Sequence, residues 1–438
     1  MRKRAREIYE AAIAAVQPDR LIRKNLRMEG DELFAGDFKY KLEPGTQIFL
    51  LCVGKAAAAM AIAAEEILGE KIGDGLVLTK YDHSLPLKKL RIIEAGHPVP
   101  DENSRRGAEA ILSISKQARP ADIVVLLLSG GASALMSDLS AGIDVTEFDL
   151  LTKQLLNSGA DIKELNTVRK HLSFLKGGQL ARLVSPAKLV CLALSDVPGD
   201  APDIIGSGPT VADLSTFADA VEVLKKYELW NGAGQSIKKR LQEGVEGRIE
   251  ETPKPGDKDL VNSDYRIIGN NRVAVEAAAE KAKSLGYQTV ISYKELSGEA
   301  AEQSIAFLED SLSREGSLPL CVIAGGETTV TVKGSGKGGR NQQMALSSIA
   351  YAMKNQAALQ KNWLLLAGST DGTDGPTDAG GAFADTELIN ALKKYEVDPQ
   401  PWLDNNDAYN FFKKYGGLLM TGPTQTNVMD ILIVLRES

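Results

Sequence analysis

Residues 47–68 read QIFLLCVGKAAAAMAIAAEEIL. The opening stretch, 47–53, is apolar without polar alternation, so it predicts a strand covered on both faces. Gly54 and Lys55 follow, and then strong helix formers (Ala, Met, Leu, Glu) run to Leu68. Strand, tight glycine turn and helix form the repeating unit of a parallel α/β sheet.

The unit recurs. Strand-length apolar runs lie at 75–79 (GLVLT), 122–129 (DIVVLLLS), 188–195 (KLVCLALS), 265–269 (YRIIG), 288–292 (QTVIS), 320–324 (LCVIA), 363–368 (WLLLAG) and 430–435 (DILIVL). Helix-period segments such as 271–286 separate them. The clearest break is 245–263, VEGRIEETPKPGDKDLVNS, which reads as a domain boundary or an elaborate surface loop.

Composition narrows the function. A chain of 438 residues has room for two or three domains, and 43% hydrophobic with 25% charged residues is ordinary for a globular protein. A net charge of −7 argues against nucleic acid or an anionic membrane as the main partner, so any useful positive charge is local. Cys52, Cys191 and Cys321 each sit in an apolar run and predict buried thiols rather than a disulfide framework. His83, His97 and His171 are too scattered for a zinc site. Residues 1–16 read as an amphipathic surface helix rather than a signal peptide, and the longest apolar run, 123–128, is too short to span a bilayer. A cytoplasmic location is expected.

Ligands of open α/β sheets gather beyond the carboxyl ends of the strands. The most conspicuous such loop lies in 321–343, CVIAGGETTVTVKGSGKGGRNQQ. CVIA and TVTV predict strand, Gly334–Gly339 predicts a loop, and Arg340 opens a helix. Glycine amides, a helix N-terminus, Lys337 and Arg340 together suit phosphate, through Gly336, Lys337, Gly338 and Gly339. A flexible turn with solvated cations fits the same residues. Gly334, Gly336 and Gly339 satisfy G-x-G-x-x-G, but the next acid is Asp371, too far for a ribose ligand. The Walker A pattern fails because Gly338 follows Lys337.

Other post-strand loops add to this. Lys55 opposes the dipole at a helix start with no acid nearby in sequence, which suits either an anionic ligand or plain solvation. Ser129, Gly130, Gly131, Ala132 and Ser133 make a phosphate cradle and a poor nucleophile elbow. Asp196, Asp200 and Asp203 share one turn, as Mg²⁺ ligands, as a general base or as turn caps. Asp371, Asp374 and Asp378 lack EF-hand spacing and suit Mg²⁺ or ligand hydroxyls. Arg169 and Lys176, with His171 between them, form either a basic face toward a site or a solvated face. Basic and acidic loops together suit phosphoryl transfer.

The motifs VGKAAAAM (53–60), EAGHPVPDENS (94–104), LLLSGGASAL (126–135), NTVRKHLSFLKGGQLA (166–181), LSDVPGDAPDIIGSGPT (194–210), GGETTVTVKGSGKGGRNQQ (325–343) and AGSTDGTDGPTDAGG (367–381) resemble the glycerate 2-kinase family. The resemblance implies a large Rossmann-like N-terminal domain over 1–250 and a smaller C-terminal α/β region over 251–438. The latter contains a MOFRL domain at about 318–430, and the active site is expected in the cleft between the domains. It further implies transfer of the γ-phosphoryl group of ATP, with Mg²⁺, to the 2-hydroxyl of D-glycerate. Lys55 and Arg340 would neutralise the phosphoryl group and the glycerate carboxylate. Asp196 would orient or deprotonate the acceptor, the 129–133 loop would hold nucleotide phosphates, and Asp371 or Asp374 would bind Mg²⁺. The only partners expected are these small molecules, and a homodimer is admitted. Two rival readings are an NAD(P)H-dependent hydroxypyruvate reductase, which lacks its ribose-binding acid, and a non-catalytic sensor of nucleotide or sugar acid.

Overall fold

Apolar runs with no polar alternation bury both faces of the strands they form, and this chain builds two such sheets. The computed structural model describes residues 1–292 and 294–438. It divides into two compact units, Pro18–Ile268 and a second made of Met1–Gln17 with Gly269–Ser438. All nine strands expected from the sequence are present.

In the first unit the sheet order is Arg91–Ala95, Ile72–Lys80, Ile48–Val53, Ile123–Leu128, Lys188–Leu194, Ser263–Gly269. Numbered along the chain this is 3-2-1-4-5-6, the order of dinucleotide-binding doubly wound sheets. The pairings among the first five strands are all parallel. Order reverses between Ile48–Val53 and Ile123–Leu128, the place where sheets of this order receive their ligands. Helices Ala57–Leu68 and Glu102–Ser115 cover the sheet, and Val53, Leu78, Leu126 and Leu128 are wholly buried. Four helices, Val145–Asn157, Ile162–Leu172, Phe217–Lys226 and Gln235–Val245, share a separate apolar core. A small antiparallel sheet, Leu26–Glu29, Glu32–Ala35 and Phe38–Lys41, was not expected from sequence.

The second unit departs from the all-parallel expectation. Its sheet runs Gln288–Ile291, Leu320–Thr329, Asp430–Glu437, Asn362–Ser369, Gly381–Asp385, Leu418–Leu419, with Leu296–Glu299 beside Leu320–Thr329. Asp430–Glu437 is antiparallel to both of its neighbours. Uniform apolarity encodes two-sided burial but not strand direction, so both sheets read alike in sequence.

Two further features concern how the chain divides between the units. The 245–263 stretch is not where contacts separate, because polar groups pin it to the first unit. Thr252 Oγ1 donates to Asp213 (3.0 Å), Glu251 accepts from the Phe217 amide (2.8 Å), and Arg182 reaches Asp259 (3.0 Å). The division between the two units falls between Ile268 and Gly269. Residues 1–17 belong with the C-terminal unit. Ala5, Ile8, Tyr9 and Ala12 of Arg2–Ala15 are buried there, and Tyr9 Oη donates to the Ser369 carbonyl at 2.5 Å. All three cysteines are buried, and burial raises the thiol pKa values of Cys52, Cys191 and Cys321. Among the described residues no helix is long and apolar enough to cross a membrane.

Candidate active site

At the reversal of strand order, the loops after Ile48–Val53 and Ile123–Leu128 are laced together. Ser129 N–H donates to Val53 C=O (2.9 Å), Lys55 N–H to Gly130 C=O (2.9 Å), and Ala56 N–H to Ser129 Oγ (3.1 Å). Gly54 has φ +128°, and a Cβ there would lie 2.2 Å from Ser129 Oγ, so only glycine allows this approach.

Two expected residues, Asp196 and Lys55, reach the Gly130–Gly131 turn. A Cβ on Gly130 would lie 1.9 Å from Asp196 Oδ2, and one on Gly131 would lie 3.3 Å from Lys55 Cε. The amides of Gly130, Gly131 and Ala132 donate to no protein group among the described residues. Ser133 Oγ lies 2.7 Å from Ser207 Oγ, which donates to Asn166 Oδ1 (3.0 Å). The Lys55 ammonium, partly buried, has no acid within ion-pair distance among the described residues. Unused amides beside an unpaired cation attract an anion.

His97 belongs to this cluster and was not singled out from sequence. Its Cδ2 and Nε2 lie 3.0 Å from the same Gly131 Cβ position. Burial, and then the Lys55 charge, hold its pKa down to about 4, so the ring is neutral at pH 7. The signal was available, because His97 follows the strand Arg91–Ala95 as Lys55 follows Ile48–Val53. Arg91–Ala95 was missed because RIIEA carries charge at both ends of a short apolar core and lies at the sheet edge.

The 333–340 loop is held differently. Five of its amides are used: Lys333 and Gly334 N–H donate to Asn406 Oδ1 (2.7 and 3.0 Å), Ser335 to Asn405 Oδ1 (3.1 Å), Gly336 to Asn405 C=O (2.9 Å) and Lys337 to Asp407 Oδ1 (2.8 Å), while those of Gly338 and Gly339 donate to no protein group among the described residues. The Lys337 ammonium sits 4.7 Å from the Tyr409 ring centre. No glycine of this loop has a positive φ. A Cβ on Gly336 would instead fall 2.5 Å from the Asn405 carbonyl oxygen. Gly336 and Lys337 thus spend their amides on a clasp with residues 405–407. The strand Leu320–Thr329 ends at Thr329, before most of TVTV, to reach that clasp.

The helix N-terminus beyond the loop is also filled from within. Asp374 accepts from the amides of Asn341 (3.0 Å) and Gln342 (2.8 Å) at the start of Arg340–Lys354. It is 2% exposed, and burial pushes its carboxyl up to about 6 despite those amides. Asp371 Oδ1 accepts from Ser369 Oγ (2.9 Å) and the Thr373 amide (2.9 Å), closing a turn. No group of three or more acids, histidines and cysteines able to hold a metal ion occurs among the described residues. Asp371 closes a turn and Asp374 caps a helix.

Arg340 is partnered. Its Nε and Nη2 donate to Asp430 (2.5 and 3.0 Å) and its Nη1 to Glu327 (2.6 Å). Burial opposes its charge, but Asp430 and Glu327 outweigh burial and raise the guanidinium pKa. Of the five guanidinium donors, two remain. Arg169 and Lys176 line a single cavity rather than a solvated face, and Lys170 and His171 are buried with acidic partners.

Comparison with known proteins agrees with this organisation. Residues 4–242 match the Domain of unknown function (DUF4147), and residues 320–430 match the MOFRL family. A D-glycerate 2-kinase of Thermotoga maritima is 42% identical over 99% of this chain and 98% of its own. A glycerate 2-kinase of Pyrococcus horikoshii is 40% identical over 98% and 95%. The crystal structure of a glycerate kinase from Thermotoga maritima superposes with a TM-score of 0.86 at 42% identity, covering 99% of each chain. The chain belongs to the family that joins DUF4147 and MOFRL regions and includes these glycerate 2-kinases.

Proposed function

We propose that the protein transfers the γ-phosphoryl group of ATP to the 2-hydroxyl of D-glycerate, giving 2-phosphoglycerate and ADP. One observation carries this reading: three unused amides at the switch point of the sheet lie beside the unpaired Lys55. The turn 129–133 receives phosphate oxygens, and Lys55 neutralises charge developing on the transferring group. Neutral His97 donates or accepts a hydrogen bond there without adding a second cation. Asp196, against Gly130, orients the acceptor hydroxyl and takes its proton. Arg340 supports the second unit through Asp430 and Glu327 and offers its two remaining donors to a substrate oxyanion.

Mg²⁺ enters with the nucleotide, where it neutralises phosphate charge. Both Asp374 oxygens accept from amides, whereas only Oδ1 of Asp371 is engaged, so Asp371 is the one of the two with an oxygen left for it. The decisive experiment incubates the protein with ATP, Mg²⁺ and D-glycerate and identifies the product by phosphorus NMR. A 2-phosphate is expected. A 3-phosphate would refute the regiochemistry, and no transfer to any hydroxy acid would refute the kinase reading.

A further inference from the structure

A cavity of about 490 Å³ opens beside the 129–133 turn, within the same unit. Its walls include Pro98, Ser133, Phe148, Thr152, Asn157 and Arg169. Pro98 directly follows His97, and Ser133 ends the phosphate cradle, so the cavity begins where the cluster above ends. Its size falls in the range of small-molecule pockets.

Arg169 gives the cavity its chemistry. It lies in the last turn of Ile162–Leu172, where the neighbouring basic groups have partners. Lys170 pairs with Asp213 (3.2 Å), and His171 meets Glu251 (3.2 Å). Lys176, also in the wall, is paired with Asp138 at 2.5 Å. Of the cavity's basic side chains, Arg169 and Lys153 have neither hydrogen bond nor ion pair among the described residues, and of these two Lys153 is exposed while Arg169 is partly buried. Burial lowers its pKa and no acid counters that. A partly desolvated guanidinium without an acceptor is unfavourable until an anion arrives.

The wall also fixes how much negative charge is wanted. Lys153, Arg169 and Lys176 face Asp138 and Asp149, three cations against two acids. One net positive charge balances a monocarboxylate but leaves a triphosphate largely uncompensated. The planar fork of arginine matches a carboxylate with two parallel hydrogen bonds. Thr152 and Asn157 supply groups for the hydroxyls of a small acid.

We propose that this cavity is the acceptor pocket, with Arg169 holding the carboxylate of a small hydroxy acid and the reacting hydroxyl turned toward Ser133. The assignment rests on the phosphoryl-transfer reading above, and it moves the carboxylate from Lys55 and Arg340 to Arg169. It makes the acid's negative charge, rather than its hydroxyls, the main determinant of acceptor choice.

Steady-state kinetics on Arg169→Gln and Arg169→Lys test it. For Arg169→Gln, the KM for D-glycerate should rise about 30-fold or more, as when one partner of a desolvated charge pair is removed. The KM for ATP should hold, and Arg169→Lys should fall between. Uncharged glyceramide should be used equally poorly by wild type and Arg169→Gln, a result that a purely structural role would not give. An unchanged glycerate KM, or equal losses for glycerate and ATP, overturns the assignment. If Arg169→Gln does not fold, Thr152→Trp fills the cavity from the neighbouring helix. It should raise the glycerate KM alone, and no rise overturns the pocket. Calorimetric titration with D-glycerate separates the two claims. Wild type that binds glycerate through Arg169 but transfers no phosphate keeps the pocket and removes the kinase. Wild type that transfers phosphate regardless of Arg169 does the reverse.

Discussion

Replacing Lys55 by Met removes one cation and, in structural terms, little else. The side chain is partly buried, no acid pairs with it, and its backbone bond to Gly130 C=O survives the change. No orphaned carboxylate is left behind, so folding stability should shift by no more than about 0.5 kcal/mol. Catalysis should respond far more. Loss of a preorganised group that meets developing charge typically lowers turnover about 10²–10³-fold, or about 2.7–4 kcal/mol of barrier. A unit charge about 4 Å from the transferring group, at an effective dielectric near 20, gives a Coulomb energy of about 4 kcal/mol, the same scale. The assay pairs ADP release under saturating ATP and D-glycerate with thermal melting. A fall in turnover smaller than about 3-fold would refute the role. So would a large drop in melting temperature, which would make Lys55 a structural residue.

Arg340→Met should behave in the opposite way. It strands Asp430, which is 1% exposed, so stability should fall by about 3 kcal/mol, measured by urea titration. A melting curve unchanged from wild type would show that the pair contributes nothing to the fold. The His97 ring should titrate near pH 4 when followed by NMR, where only three histidines need resolving, and Lys55→Met should move its pKa upward. The unfolded chain takes that proton near pH 6.5 and the folded one resists until about 4. Between these values the unfolded state binds more protons, so this group's contribution to stability is complete above 6.5 and lost as pH falls toward 4. An ordinary pKa at His97 would separate it from Lys55.

Local sequence determined a good deal here. Uniform apolar runs located the strands because two-sided burial demands them, and the rule that ligands meet the carboxyl ends of strands picked out Lys55, Ser129–Ser133 and Asp196. The motif order was enough to indicate the family. Tertiary structure decided what periodicity does not carry. Strand direction in the second sheet, and the attachment of 1–17 to the C-terminal unit, depend on distant partners. So does the fate of each loop. Gly130, Gly131 and Ala132 keep their amides unused, whereas the glycine-rich 333–340 loop, the more conspicuous of the two in sequence, spends the amides of residues 333–337 on Asn405, Asn406 and Asp407. Glycine in a sequence signals that something approaches the backbone closely. Whether that neighbour is a phosphate or another stretch of the same chain is settled only when the fold brings it there.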